Sequence, residues 1–124
     1  MTEPPPLKVL VVDDHADFRR TVRQMCQSAG VIITEASSGE DAVERYVAER
    51  PDWVVMDLRM PGMGGIKAIQ AIRRLDSHAQ IIAISQFNEP EYQEEARGAG
   101  AVAFLDKEDT SRLVEILQCR TRPS

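Results

Sequence analysis

Five short apolar runs punctuate the chain, at residues 7–12, 31–36, 53–56, 81–84 and 102–105. Each has the length of a β-strand and is rich in branched side chains. The segments between them follow a different period. Phe18, Val22, Met25 and Ala29 recur at steps of four and three; Ala42, Val43, Tyr46 and Val47 form one stripe, and Ile66, Ile69 and Ile72 another. Leu113, Ile116 and Leu117 form a fourth. Such spacing puts apolar side chains on one face of an α-helix. Residues 89–97 carry the thinnest apolar face, Tyr92 and Ala96 alone. Gly30 and either Gly98 or Gly100 stand where helices should stop, and Ser38 and Thr110 where two should be capped.

Five strands alternating with five helices predict an α/β domain: a doubly wound, mainly parallel five-stranded sheet covered on both faces. In such sheets ligands bind beyond the carboxyl ends of the strands. The residues that close each strand therefore matter most. The first run ends in Asp13-Asp14, the third in Asp57, the fourth in Ser85 and the fifth in Asp106-Lys107; the second ends in Ala36-Ser37, with nothing titratable.

Composition narrows the classes. The 124 residues are 43% hydrophobic and 28% charged, enough for one domain with a real core. A formal net charge of −5 argues against direct nucleic-acid binding. No apolar run approaches the roughly 20 residues needed to span a bilayer. The start, MTEPPPLK, lacks the features of a secretory signal, so a cytoplasmic protein is expected. Pro4, Pro5 and Pro6 mark residues 1–6 as a flexible leader, 7–120 as the domain, and 121–124 as a tail or linker stub. Cys26 and Cys119 show no metal-binding spacing and are expected to be reduced, partly buried thiols.

Three carboxylates converging on one edge repel, by roughly 1–4 kcal/mol per pair at 4 Å for effective dielectrics of 80–20. Lys107 would offset part of this, and a hard divalent cation such as Mg2+ the rest. The chain has no Walker-type phosphate loop and no G-x-G-x-x-G, and its two histidines, His15 and His78, are badly placed for a serine triad. A carboxylate can itself attack phosphorus and form an aspartyl phosphate. Asp57, solitary between the acidic pair and Ser85/Lys107, is the best-placed nucleophile.

VLVVDDHADFRR, WVVMDLRMPGMGG, IIAIS and FLDK resemble, in this order and spacing, the four motifs of the response-regulator receiver domain. The resemblance covers roughly residues 7–119 and is most like the NarL/FixJ-type receivers, which precede a DNA-binding domain. It implies a flavodoxin-like (βα)5 fold with strand order 2-1-3-4-5, and phosphorylation of Asp57 by a sensor histidine kinase or phosphotransfer protein. It also implies Mg2+ held by Asp14, Asp57 and the main-chain carbonyl of Arg59, with Asp13 acting mostly through water. Lys107 would pair with the phosphoryl oxygens. Ser85 would hydrogen-bond one of them, and Phe104 would turn inward as the switch aromatic. Homodimerisation on phosphorylation is a habit of the family.

Several positions depart from the family pattern. Glu108 replaces the proline that often follows the lysine, which predicts a trans peptide and a looser loop. Gly64 replaces a usual acid beside Gly65 and weakens the cap of the third helix. Gln86 is larger than the usual alanine and would narrow access to Asp57. Arg59 and Phe87 occupy variable positions that can shield an acyl phosphate, while His15 reads as a solvent-facing residue of the first helical turn. Three other readings compete. A Mg2+-dependent aspartyl-phosphate phosphohydrolase would want an acid two residues after the nucleophile, where this chain has Arg59. A flavin or nucleotide module would want a hydroxyl- and glycine-rich first loop, where this chain has DDHADF. A receiver-like module signalling without phosphate is the third alternative.

Overall fold

A computed structural model describes residues 6–26, 30–86 and 90–118. The expected alternation is present: β1 (Leu7–Val12), α1 (Ala16–Met25), β2 (Val31–Ala36), α2 (Gly39–Glu49), β3 (Trp53–Asp57), α3 (Gly64–Leu75), β4 (Ile81–Ser85), α4 (Pro90–Ala99), β5 (Ala103–Asp106) and α5 (Thr110–Gln118). All strand pairs are parallel, in the order β2-β1-β3-β4-β5. Ala29, Phe87 and Cys119 lie outside the described residues, as do the first five residues of the leader and the tail. No described helix is long and apolar enough to cross a membrane.

The strands have the period-two alternation of a sheet buried on both sides. Leu10, Val12, Val54, Met56, Ile81 and Ala83 face α2, α3 and α4, where Ala42, Tyr46, Ala68, Ile69, Ile72 and Ala96 meet them. Val9, Val11, Val55, Ile82, Ile84 and Leu105 face the opposite way, against Val22 and Cys26 of the α1 side and Leu113 and Leu117 of α5. Helices one and five thus share a face, and burial pushes the Cys26 thiol up from its ordinary pKa.

Local signals explain the helix ends. Ser38 caps α2 by accepting from the Asp41 N–H at 3.0 Å. Gly100, at φ +120°, ends α4, its N–H donating to Ala96 O, while Gly98 lies inside the helix. Thr110 is the first helical residue of α5 rather than its cap; Asp109 takes that position and accepts from the Arg112 N–H at 3.4 Å. Val47, placed in the α2 stripe by spacing, is 51% exposed, because the buried face is narrower than the apolar one. β5 starts at Ala103, after an exposed Val102. No described peptide bond is cis, Lys107–Glu108 included.

Candidate functional site

Register builds the site. Val12 pairs with Met56, so Asp13 is level with Asp57 at the ends of neighbouring strands. Asp57 pairs with Ile84, and Ser85 with Asp106. Strands three and four run one residue past their apolar runs, so Asp57 and Ser85 are themselves strand residues. That fixes their backbones in the ladder. The Lys107 N–H donates to Ser85 O at 2.9 Å and carries the lysine back over the same edge.

The sheet makes these polar residues part of the interior. Asp13 and Ser85 are fully buried and Asp57 is 3% exposed. Burial pushes the Asp57 carboxyl up to about 6. The Asp13 charge adds to this, Lys107 and the Arg59 N–H oppose it, and Asp14 adds a smaller push. Lys107 Nζ lies 2.6 Å from Asp13 Oδ2 and 3.8 Å from Asp57 Oδ2, and sits over the Phe18 ring at 4.9 Å from its centroid. At 2.6 Å the ammonium and the Asp13 carboxylate form a close, charge-assisted pair.

One donor atom from each of Asp13, Asp14, His15 and Asp57 lies within 4.8 Å of every other. This donor set fits a hard divalent cation, since carboxylate oxygens supply three of its four members. Asp13 is held from both sides. Its N–H donates to Ala36 O at 3.1 Å, and its carbonyl accepts from Arg19 Nη1 at 2.6 Å. Glu35 on β2 anchors Arg19 through Nε at 2.8 Å. Arg19 first, then Arg23, holds the Glu35 carboxyl below its usual range.

Around Asp57 the loop into α3 is tightly folded. The Arg59 N–H donates to Asp57 Oδ1 at 3.3 Å, and the Arg59 guanidinium lies over the Tyr92 ring of α4 at 5.4 Å. Gly65 packs directly on the main chain of Asp57 and Leu58, with no room for a side chain. His15, Asp57, Arg59, Gln86 and Lys107 line a cleft of about 50 Å³. Gln86 therefore flanks the access route, as its size suggested. Phe104 is half-buried, packed on the α3–α4 side beside a groove lined by Gln93, Arg97 and Val102.

His15 is the residue that sequence reasoning underrated. It is exposed, as expected, yet its Nδ1 faces the two acids at 3.2 Å each. The DDH run was the only available signal, and it does not say which way the ring turns.

A buried acid on a strand tip, backed by further acids and a lysine, belongs to a known class of signalling domain. Residues 9–118 match the response regulator receiver domain, and the chain belongs to that family. It is thus a receiver of two-component signalling, a signalling domain rather than a turnover enzyme. The chemotaxis protein CheY of Thermotoga maritima is 41% identical over 112 residues, 89% of this chain and 93% of that protein. The transcriptional regulatory protein NarL of Mycobacterium tuberculosis is 39% identical over 114 residues, 89% of this chain but 53% of NarL. The solved signal receiver domain of NarL from that organism is 33% identical, with a TM-score of 0.84 over 94% of this chain and 97% of that one. A CheX–CheY–BeF3–Mg2+ complex from Borrelia burgdorferi is 30% identical, with a TM-score of 0.80 over 90% of this chain and 88% of that one.

Proposed function

We propose that Asp57 accepts a phosphoryl group from a sensor histidine kinase or phosphotransfer protein, and that the acyl phosphate switches the Ser85/Phe104 face toward an output partner. A carboxylate oxygen of Asp57 attacks phosphorus. The bond from phosphorus to the donor nitrogen breaks, and its electron pair leaves with the donor imidazole. Asp13, Asp14, Asp57 and the Arg59 main-chain carbonyl would hold Mg2+. When bound, the ion supplies charge neutralisation for the oxygens of the transferred group. The B. burgdorferi CheY complex, which contains BeF3 and Mg2+, supports this choice of ion.

The carrying observation is the convergence of a buried Asp57 with two further acids and an ammonium on one strand edge. Lys107, 3.8 Å from Asp57 Oδ2, takes up the charge of the new group by moving a short way from Asp13. Ser85, on the next strand, hydrogen-bonds a phosphoryl oxygen. These contacts exist in only one of two packings, so phosphorylation shifts the population toward it. Phe104, half-buried next to the α4 groove, follows by turning into the space released. The chain's own catalysis is confined to self-phosphorylation and autodephosphorylation.

The receiver unit spans residues 7–120. It works in the cytoplasm, dimerises on phosphorylation and makes no direct nucleic-acid contact. The match to about half of NarL supports a DNA-binding output domain in a longer parent chain. Incubation with acetyl phosphate, with and without Mg2+, tests the reading by intact mass. The wild type should gain one phosphoryl group only with the ion present, and Asp57→Asn should gain none. An adduct on both proteins, or on neither, overturns it.

A further inference from the structure

The acidic cluster contains a donor of a different kind. His15 Nδ1 stands 3.2 Å from Asp13 Oδ1 and 3.2 Å from Asp14 Oδ1. Ligands bound to one metal at about 2.1 Å lie about 3.0 Å apart in an octahedron and about 3.4 Å apart in a tetrahedron. Both spacings fall in that interval. The Asp57 donor completes a group of four within 4.8 Å. The wall opposite solvent is fixed, since Asp13 is fully buried and its Oδ2 is paired with Lys107 Nζ at 2.6 Å. The main chain of His15 is held as well. Its N–H donates to Asp13 Oδ1 at 2.8 Å, and α1 begins at the next residue.

We propose that His15 is a nitrogen ligand of the cation site and biases it toward divalent transition ions such as Co2+, Ni2+ and Zn2+ over Mg2+. The inference rests on the reading of Asp13, Asp14 and Asp57 as that site. Mg2+ is hard, keeps its waters and gains little from imidazole, whereas the borderline ions bind imidazole well. On coordination Nδ1 bonds the metal through its lone pair, and any proton it carried leaves to solvent. Among the side-chain donors, three oxygens and one nitrogen then replace an all-oxygen set.

The test compares wild type, His15→Ala and His15→Gln by calorimetric titration with Mg2+ and with Co2+, together with the visible absorption of the Co2+ form. His15 is 69% exposed, so neither substitution removes core packing. The ratio of Co2+ to Mg2+ affinity should fall by about tenfold or more in both variants, and the Co2+ spectrum should change shape. If both affinities move by one common factor and the spectrum keeps its shape, His15 is only a hydrogen-bond partner of the acids and the inference is overturned. Phosphoryl uptake from acetyl phosphate, read on the same samples, separates the two readings. Its absence beside a lowered ratio sinks the Asp57 assignment alone, and its presence beside an unchanged ratio sinks the His15 assignment alone.

Discussion

The ammonium of Lys107 is closed onto Asp13, 2.6 Å from Oδ2, and not onto Asp57, which it reaches only at 3.8 Å. Asp13 is fully buried, so the lysine is its main counter-charge. Removing one partner of such a pair leaves an uncompensated charge indoors. Lys107→Met should therefore lose on the order of 3 kcal/mol of stability in urea. Adding Asp13→Asn to it should restore a large part of that loss. An additive double variant would show that the two side chains do not act as a pair.

Asp57 shapes the pH dependence of stability. Its carboxyl titrates near 6 in the folded chain, against an ordinary value of 3.8. The folded state thus holds this proton more tightly than the unfolded state does. The associated stability is complete below about pH 4 and is lost as pH rises through 6. With divalent ions chelated, Asp57→Asn should match wild type near pH 4 and exceed it at pH 7, by on the order of 1–3 kcal/mol. Denaturation curves from pH 4 to 8 read this directly. A constant difference across the range would contradict it.

The two adjacent glycines should behave differently. A Cβ on Gly65 would meet the main chain of Asp57 and lie 2.6 Å from Leu58 Cα. Gly65→Ala should therefore cost at least about 1–3 kcal/mol and displace Asp57. Gly64 has φ +78° but open space around it, so Gly64→Ala meets only a backbone penalty of about 1 kcal/mol. Thermal melts and Mg2+ titration of both variants check the contrast.

Arg19 holds the Asp13 carbonyl at 2.6 Å while Glu35 holds Arg19. Arg19→Ala should weaken Mg2+ binding about tenfold by loosening the backbone that presents Asp13 and Asp14. Arg23→Ala, which removes only the outer brace on Glu35, should change it far less. Equal losses in both would mean that overall charge, not the hold on Asp13, sets affinity.

Much of this arrangement is legible in residue order. Asp13, Asp57, Ser85 and Lys107 end apolar runs, and a parallel sheet must bring those ends to one edge. What the sequence hides depends on side-chain path and backbone approach. The preference of Lys107 for Asp13 follows from its course over Phe18, a contact between β5 and α1 that no local pattern encodes. The inward Nδ1 of His15 depends on how α1 leaves the strand. Gly64-Gly65 reads as a weak cap, yet the bare Gly65 lets α3 pack directly on the main chain of Asp57 and Leu58. The Asp109 cap displaced Thr110 because both types cap well and one residue of shift is invisible to spacing.

Chemical mapping of the modified atom bears most directly on the account. An acyl phosphate reduced with borohydride becomes homoserine at the position that carried it, and peptide mass spectrometry reads that position. After incubation with acetyl phosphate and Mg2+, homoserine should appear at residue 57 and nowhere else. Homoserine at residue 13 or 14, or no conversion at all, would contradict the assignment of Asp57 as acceptor.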